Sequence, residues 1–377
     1  MKKLFKLTLL AVMAVAMMAG AAECKTLKIG SMSPLTGPWA ADGQDIANGV
    51  QCAVAVMMDN GGVAGFDNIE VISEDTAGDP RQAVAAANKL INEEVTAVVG
   101  SYASSCTLPS SEVLDEEDIL MITPASTAES VTERGLPYMF RTCGRNDDQG
   151  KAALAFMQNV LKAKTIYIVD DKTTYSQGLA DNMRALCEAN GIEVIAHEHV
   201  NQGDKDYSAV LTKVAAAKPD VFYVSLQNSA TGALMAIQAH SKNVTANILG
   251  QDAVYHPQLI EIGKAAAEGM YLTFGYSDKE TEAYKKYYAK YKTMFGEPGA
   301  YTAYAYDSAM AYMKAVAKAG TTEPAAVKAA LLDLDFQGAS KMIDYKANGD
   351  SGSNYIIQKV EGGKFVNYYN PETGSLF

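Results

Sequence analysis

The sequence is short of cations. It sets 32 Lys and Arg against 44 Asp and Glu, a formal net charge of −12. Such a chain is a poor partner for nucleic-acid phosphates or an anionic membrane, and no nucleic-acid role is expected. Histidine is scarce as well, with four residues. None is near in sequence to the hydroxyl-rich loops described below, so no nucleophile–base pairing is visible and no enzyme is expected. The five cysteines, Cys24, Cys52, Cys106, Cys143 and Cys187, are scattered, odd in number and never form CxxC. That argues against a zinc or redox motif; at most two disulfides could form, leaving one thiol over. Neither GxxxxGK nor GxGxxG occurs, and the glycines of "DNGGVAG" read as a turn rather than a phosphate cradle. No cofactor and no metal are expected. There is no obvious internal repeat, no low-complexity linker and no second long apolar run after the N-terminus.

The chain opens with a basic "MKKLFK" and an apolar "LTLLAVMAVAMMAGAA" that ends in small residues. This is the pattern of a secretory signal peptide over residues 1–22, too short for a comfortable membrane span. Cleavage after Ala22 places Gly20 and Ala22 at the small-residue positions; cleavage after Ala21 is nearly as good. The alternative is a lipoprotein modified at Cys24, which Glu23 disfavours because the preceding position normally carries a small residue. The expected location is therefore periplasmic and soluble. Removal of residues 1–22 leaves 355 of the 377 residues and takes away Lys2, Lys3 and Lys6, so the net charge moves from −12 to −15. That length suits about two domains with sizeable cores.

From Thr26 onward strand-like and helix-like stretches alternate. "TLKIGSM", "NIEVIS", "VTAVVG" and "ILMIT" read as strands. Between them "DIANGVQCAVAVMMDNGG" and "DPRQAVAAANKLINEE" read as helices, the second with Asp79 as N-cap and Pro80 in the first turn. The alternation resumes with "KTIYIVDD", "IEVIAHEHV", "DVFYVSL" and "NILG" as strands. The expected class is α/β, with parallel sheets covered by helices on both faces. Residues 280–333 read as mainly helical and the last forty or so as strands. Breaks are expected at "FRTCGRNDDQG" (140–150), "FGYSD" (274–278) and "KANGDSGSN" (346–354). Three crossings predict two doubly wound lobes joined as a hinged pair: 23–145 with 276–350, and 146–275 with 351–377.

Two loops stand out. "GSYASSCTLP" (100–109) and "MITPAST" (121–127) follow the apolar runs "TAVV" and "DILM", and carry bare hydroxyls and almost no charge. In open α/β sheets, ligands bind outside the carboxyl ends of strands, where these loops sit. Hydroxyls and backbone N–H groups at a helix start suit a carboxylate, so the loops are expected to hold one end of a small zwitterion. The plainer alternative is that Ser104, Ser105 and Thr107 cap the following helix. Other motifs carry less. "GDSGS" (349–353) has the spelling of a protease nucleophile loop but sits in a hinge-like turn. His197 and His199 share one strand face, and two imidazoles without a third ligand make a weak metal site.

"GSMSPLTGPWAADGQDIANGVQCAV", "DNGGVAGFDNIEVISEDTAGDPRQAVAAANKLI", "ILMITPAST", "FRTCGRNDDQG" and "YAYDSAMAYMKAVAKAG" together resemble the periplasmic leucine/isoleucine/valine-binding proteins. The resemblance runs through nearly the whole chain after the leader. It implies a type I periplasmic-binding fold closing over one ligand, no catalysis, and an ABC importer of two permeases and two ATPases as partner; the protein itself is expected to be a monomer. It implies that Ser104, Ser105 and Thr127, with the backbone around Ala125 and Ser126, fix an amino acid's α-carboxylate and α-ammonium. Asp252 would be the carboxylate facing the ammonium, where the family often has Glu; alone it could also be a turn or helix-cap residue. The side-chain pocket maps onto Trp39, Asp42, Tyr175, Gln227 and Tyr301. Asp42 and Gln227 depart from the family, which typically places tyrosines there. Beside an aliphatic ligand both would be left unpaired. A polar or basic amino acid, or another small amine or amide, is then expected, unless Asp42 only caps its helix. A nucleobase or aromatic acid, or a ligand-sensing role, is the alternative.

Overall fold

The computed structural model describes residues 25–377; the leader, its cleavage site and Cys24 lie outside them. The first sheet holds β1 (Thr26–Ser33), β2 (Asn68–Asp75), β3 (Ala97–Gly100), β4 (Leu120–Thr123) and β5 (Met139–Arg141), in the order β2-β1-β3-β4-β5. Every pairing in it is parallel. Residues 97–100 and 120–123 are buried throughout, as strands covered on both faces must be. The second sheet is built from β6 (Thr165–Asp170), β7 (Glu193–His199), β8 (Val221–Ser225), β9 (Asn247–Gly250) and β10 (Tyr271–Gly275), extended by β13 (Tyr355–Glu361), β14 (Lys364–Asn370) and β15 (Ser375–Leu376). Its order is β15-β14-β13-β10-β9-β8-β6-β7, parallel from β7 to β10 and antiparallel beyond. A short hairpin pairs β11 (Asp335–Gln337) with β12 (Met342–Asp344).

The chain passes three times between the lobes: after β5, after β10 and before β13. Between the second and third passages, helices Glu282–Phe295, Thr302–Ala319 and Pro324–Leu332 return to the first lobe. Their Tyr287, Tyr291, Tyr312 and Leu331 share one core with Leu27, Ile29 and Val50. β5 and β10 are strands that the sequence reading passed over. β5 has three residues, too few for any periodic signal. β10 lies in the stretch leading into a break. Four cysteines, Cys52, Cys106, Cys143 and Cys187, are buried free thiols, so the disulfides allowed by the count are not formed among the described residues.

The crossings are laced to each other. Arg141, fully buried on the first, sends Nε to Asp350 Oδ1 at 2.9 Å and Nη2 to the same atom at 2.6 Å. Asp350 lies on the third crossing and also accepts from Thr132 Oγ1 at 3.0 Å and from Arg145 Nη1 at 3.1 Å. The backbones join as well: Arg141 N donates to Gly349 O, and Ser351 N to Arg141 O. On the second crossing Tyr276 N donates to Asn354 O at 2.9 Å, and Asn354 Nδ2 returns a bond to Tyr276 O.

Removing one partner of a buried, hydrogen-bonded ion pair strands the other charge. Asp350→Ala is therefore expected to cost about 3–5 kcal/mol of stability. Denaturant unfolding followed by circular dichroism checks this; a loss below about 1 kcal/mol, the level of an exposed pair, would contradict it.

Candidate functional site

In each sheet the strand order reverses at one point, between β1 and β3 in the first and between β6 and β8 in the second. Such switch points open a crevice at the strands' carboxyl ends. The two crevices face each other. Trp39 follows β1, Ser104 follows β3 and Thr127 follows β4 on one side; Tyr175 follows β6, Gln227 follows β8 and Asp252 follows β9 on the other. The lobes touch across them. Tyr102 Oη donates to the Gln227 carbonyl at 3.2 Å, and Asn228 Nδ2 to the Pro38 carbonyl at 2.8 Å.

Ser104 is the first residue of the helix Ser104–Glu116, whose N-cap, Ala103, offers no side-chain cap. The plainer reading of Ser104 as a cap does not describe it. Its Oγ accepts from Ala128 N at 3.4 Å, so its own hydrogen is available to an acceptor. Thr127 Oγ1 is buried and has no hydrogen-bond partner among the described residues. Ser105 is half-buried in the same turn. Ala125 N and Ser126 N donate to Thr123 Oγ1 at 3.3 and 3.0 Å, which folds the loop after β4 back on itself. The Ser126 hydroxyl is engaged inside the lobe, against Thr107 Oγ1 at 2.6 Å and the Ser101 and Tyr102 carbonyls at 3.1 Å. Ser104 thus offers a free hydroxyl hydrogen at the positive end of a helix, and Thr127 another from the adjoining loop, a setting for an anionic oxygen.

Across the cleft, Asp252 opens a short 3-10 turn and is buried. Its Oδ1 takes Tyr175 Oη at 2.5 Å and Ala253 N at 3.0 Å. Its backbone N–H donates to Gln149 Oε1 at 3.3 Å, and Thr273 Oγ1 meets that same oxygen at 2.8 Å. Burial pushes the Asp252 carboxyl up to about 6, against the lowering hydrogen bond from Tyr175. Gln149 Nε2 is buried without a partner among the described residues.

The aromatic wall is Trp39, Tyr102, Tyr301 and Phe274. Ring centroids are 5.9 Å apart for Trp39–Tyr102, 5.5 Å for Tyr102–Tyr301 and 5.9 Å for Phe274–Tyr301. Trp39 lies over Gly78 (φ +73°), where a Cβ would collide with the indole. Asp42 is in the first turn of the helix Ala40–Asp59 and does not cap it. It is buried, and its Oδ1 has no partner among the described residues. Burial, and then the neighbouring Asp45 carboxylate, hold the Asp42 carboxyl well above the ordinary range; burial takes Asp45 itself to about 7. Gln227 is buried, with its backbone N–H on Asp171 Oδ2 at 2.8 Å.

Two residues at this cleft escaped the sequence reading. Tyr102 touches both lobes, and an aromatic ring inside a run of small polar residues was its available signal. Gln149 lies in the helix Asn146–Phe156, where nothing distinguishes it from a surface glutamine. A second crevice of about 450 Å³ at the second crossing, lined by Tyr255, Phe274, Tyr276 and Tyr284, shares Phe274 with the aromatic wall but contains none of the expected site residues.

The geometry has counterparts. A sequence model of the family described as "Periplasmic binding protein" matches residues 26–364. The chain is 36% identical over 344 residues to the Leu/Ile/Val-binding protein BraC3 of Rhizobium johnstonii, covering 90% of this chain and 93% of that protein. It is 35% identical over 361 residues to an amino acid binding protein of Pseudomonas aeruginosa, covering 94% and 96%. Among solved structures, the leucine binding protein LivK of Thermotoga maritima superposes with a TM-score of 0.85 at 30% identity, over 92% of this chain and 99% of that one. With the two-lobed α/β fold, the facing switch points and a match along nearly all the described residues, the chain belongs to the periplasmic binding proteins, the solute-capturing components of import systems.

Proposed function

We propose that this protein binds one α-amino acid with a polar or basic side chain between its lobes and delivers it, as a monomer and without chemical change, to an ABC importer of permease and ATPase subunits. The observation that carries the reading is the division of labour across the cleft. The first lobe offers hydroxyl donors, Ser104 at a helix start and Thr127 on the adjoining loop; the second offers a carboxylate, Asp252. A zwitterion's carboxylate suits the hydroxyl donors of one lobe and its ammonium the carboxylate of the other. Ser105 and the backbone of Ala125 join the carboxylate end, and Ser126 acts from behind by holding that loop in place. Tyr175 steers Asp252. Trp39, Tyr102 and Tyr301 flank the ligand's side chain. The names of the relatives support the amino-acid class, since one is a Leu/Ile/Val-binding protein and one an amino acid binding protein.

Asp42 supports the polar or basic side chain. A buried carboxyl beside a second acid, with one oxygen unpaired, penalises an aliphatic neighbour and suits a cation or a hydrogen-bond donor. Gln227 adds a second polar group from the opposite lobe. A site with buried polar groups rejects ligands that leave them unpaired.

Three outcomes follow from this reading. In a thermal-shift screen of the common amino acids, followed by calorimetry, polar or basic members should lead; a lead of tenfold or more by leucine, isoleucine or valine, about 1.4 kcal/mol, contradicts the side-chain assignment. Asp42→Tyr combined with Gln227→Tyr should move preference toward leucine or valine. Asp252→Ala should weaken the best ligand on the order of a hundredfold, about 3 kcal/mol, because the ammonium loses its desolvated partner; a change within about threefold removes Asp252 from the site.

Proton competition gives the next test. The bound ammonium favours ionised Asp252, whereas the ligand-free carboxyl takes up a proton as pH falls through about 6. Affinity should therefore be full above that value and fall about tenfold between pH 7 and pH 5. Calorimetry across that range checks it, and Asp252→Asn should flatten the profile; an equal slope in that variant assigns the titration elsewhere.

A further inference from the structure

We infer a second binding site, for a zinc-class divalent transition ion, at Asp170, His197 and His199 on the far edge of the second sheet. It uses none of the cleft residues. The register builds it. β6 and β7 pair in parallel with Asp170 opposite His199 and Ile168 opposite His197. Strand alternation puts His197 and His199 on one face, and Asp170 supplies from the neighbouring strand the third ligand that the two imidazoles lacked in sequence.

The three ligand atoms converge. His197 Nε2 is 2.6 Å and His199 Nδ1 is 2.7 Å from the same oxygen, Asp170 Oδ2, and all three lie within 4.8 Å of one another. Asp170 is fully buried, and its Oδ1 is held by Lys172 N at 2.8 Å, so Oδ2 is presented in a fixed direction.

A tetrahedral ion bonded at about 2.0–2.2 Å needs its ligand atoms about 3.3 Å apart. Both imidazole nitrogens must draw back from Asp170 Oδ2 by about 0.6–0.7 Å, and the His199 side chain, 40% exposed, gives an ion access from solvent. Asp181 Oδ1 lies 3.8 Å from His197 Nδ1, the nitrogen left over when Nε2 binds metal, just outside hydrogen-bond distance and positioned for an outer-shell role. A carboxylate behind a ligating imidazole fixes its tautomer and raises its basicity. Two imidazoles and one carboxylate with a solvent-facing fourth position select zinc, cobalt, nickel or copper over calcium or magnesium. An ion there would pin the edge strand β7 to β6, next to the 171–173 loop that leads into the helix carrying Tyr175 at the cleft.

The test is calorimetry of zinc chloride into the untagged, EDTA-stripped mature protein, without added amino acids because these chelate zinc. One zinc per chain is expected, with no calcium binding. His199→Gln retains an amide donor for Asp170 but loses the imidazole ligand, and should weaken zinc at least about tenfold; Asp181→Asn should weaken it by about tenfold through the outer shell. His240→Ala should change nothing. Should His199→Gln fail to fold, cobalt absorption on the wild-type protein decides: an intense visible band from a low-coordinate ion supports the site, and the pale spectrum of hydrated cobalt overturns it. Absence of zinc binding by the wild type, or His199→Gln binding within threefold of it, also overturns it.

Discussion

The structure depends on the buried pair Arg141–Asp350. It joins the first crossing between the lobes to the third, and through Arg141 Nη1 it also holds the Ala128 carbonyl at 2.6 Å and the Ser126 carbonyl at 3.3 Å. Those carbonyls belong to the loop that carries Ala125, Ser126 and Thr127. One guanidinium therefore ties a hinge strand to the loop after β4, at the proposed carboxylate end of the cleft. Hinge residues must absorb rotation while the lobes stay rigid. Here the first and third crossings are cross-linked and the second is bonded to the third through Tyr276 and Asn354, so the three are positioned to move together.

On the proposed reading, closure converts polarity into selectivity. Apart from half-buried Ser105, the cleft residues are buried, and Tyr102 bridges the lobes through the Gln227 carbonyl. In such a place the cost of an unpaired polar atom is at its greatest. Thr127 Oγ1, Trp39 Nε1, Asp42 Oδ1 and Gln149 Nε2 are all buried without protein partners among the described residues. Buried polar atoms without a partner call for an explanation, and a bound solute supplies one for these. Their mixture of donors and acceptors defines the chemistry that fits, with two acids, Asp42 and Asp252, on opposite lobes.

Much of this was legible in the sequence, for physical reasons that differ by element. Parallel strands such as Ala97–Gly100 and Leu120–Thr123 are continuous apolar runs, and Asp79–Pro80 announces its helix; both signals are local. The three crossings were legible as interruptions of the alternation. β5 and β10 were not, because three- and five-residue strands in an irregular context carry no period. The helix Ala40–Asp59 begins earlier than its apolar pattern suggests, which moves Asp42 from a cap position to a buried first turn. Tyr102, Gln149 and the Asp170 partner of His197 and His199 depend on contacts between segments far apart in sequence. Such pairings follow from strand register and lobe closure, which no local pattern encodes.

The central claim is that the cleft reads both ends of a zwitterion, one with each lobe. Calorimetry with three molecules tests it most directly: the best amino acid from the screen, the amine that lacks its carboxylate, and the acid that lacks its ammonium. Each truncated analogue should bind at least about a hundredfold more weakly, a loss near 2.7 kcal/mol for either charge. Retention of affinity within about threefold by either analogue would contradict the account, because the corresponding lobe would then be gripping something else.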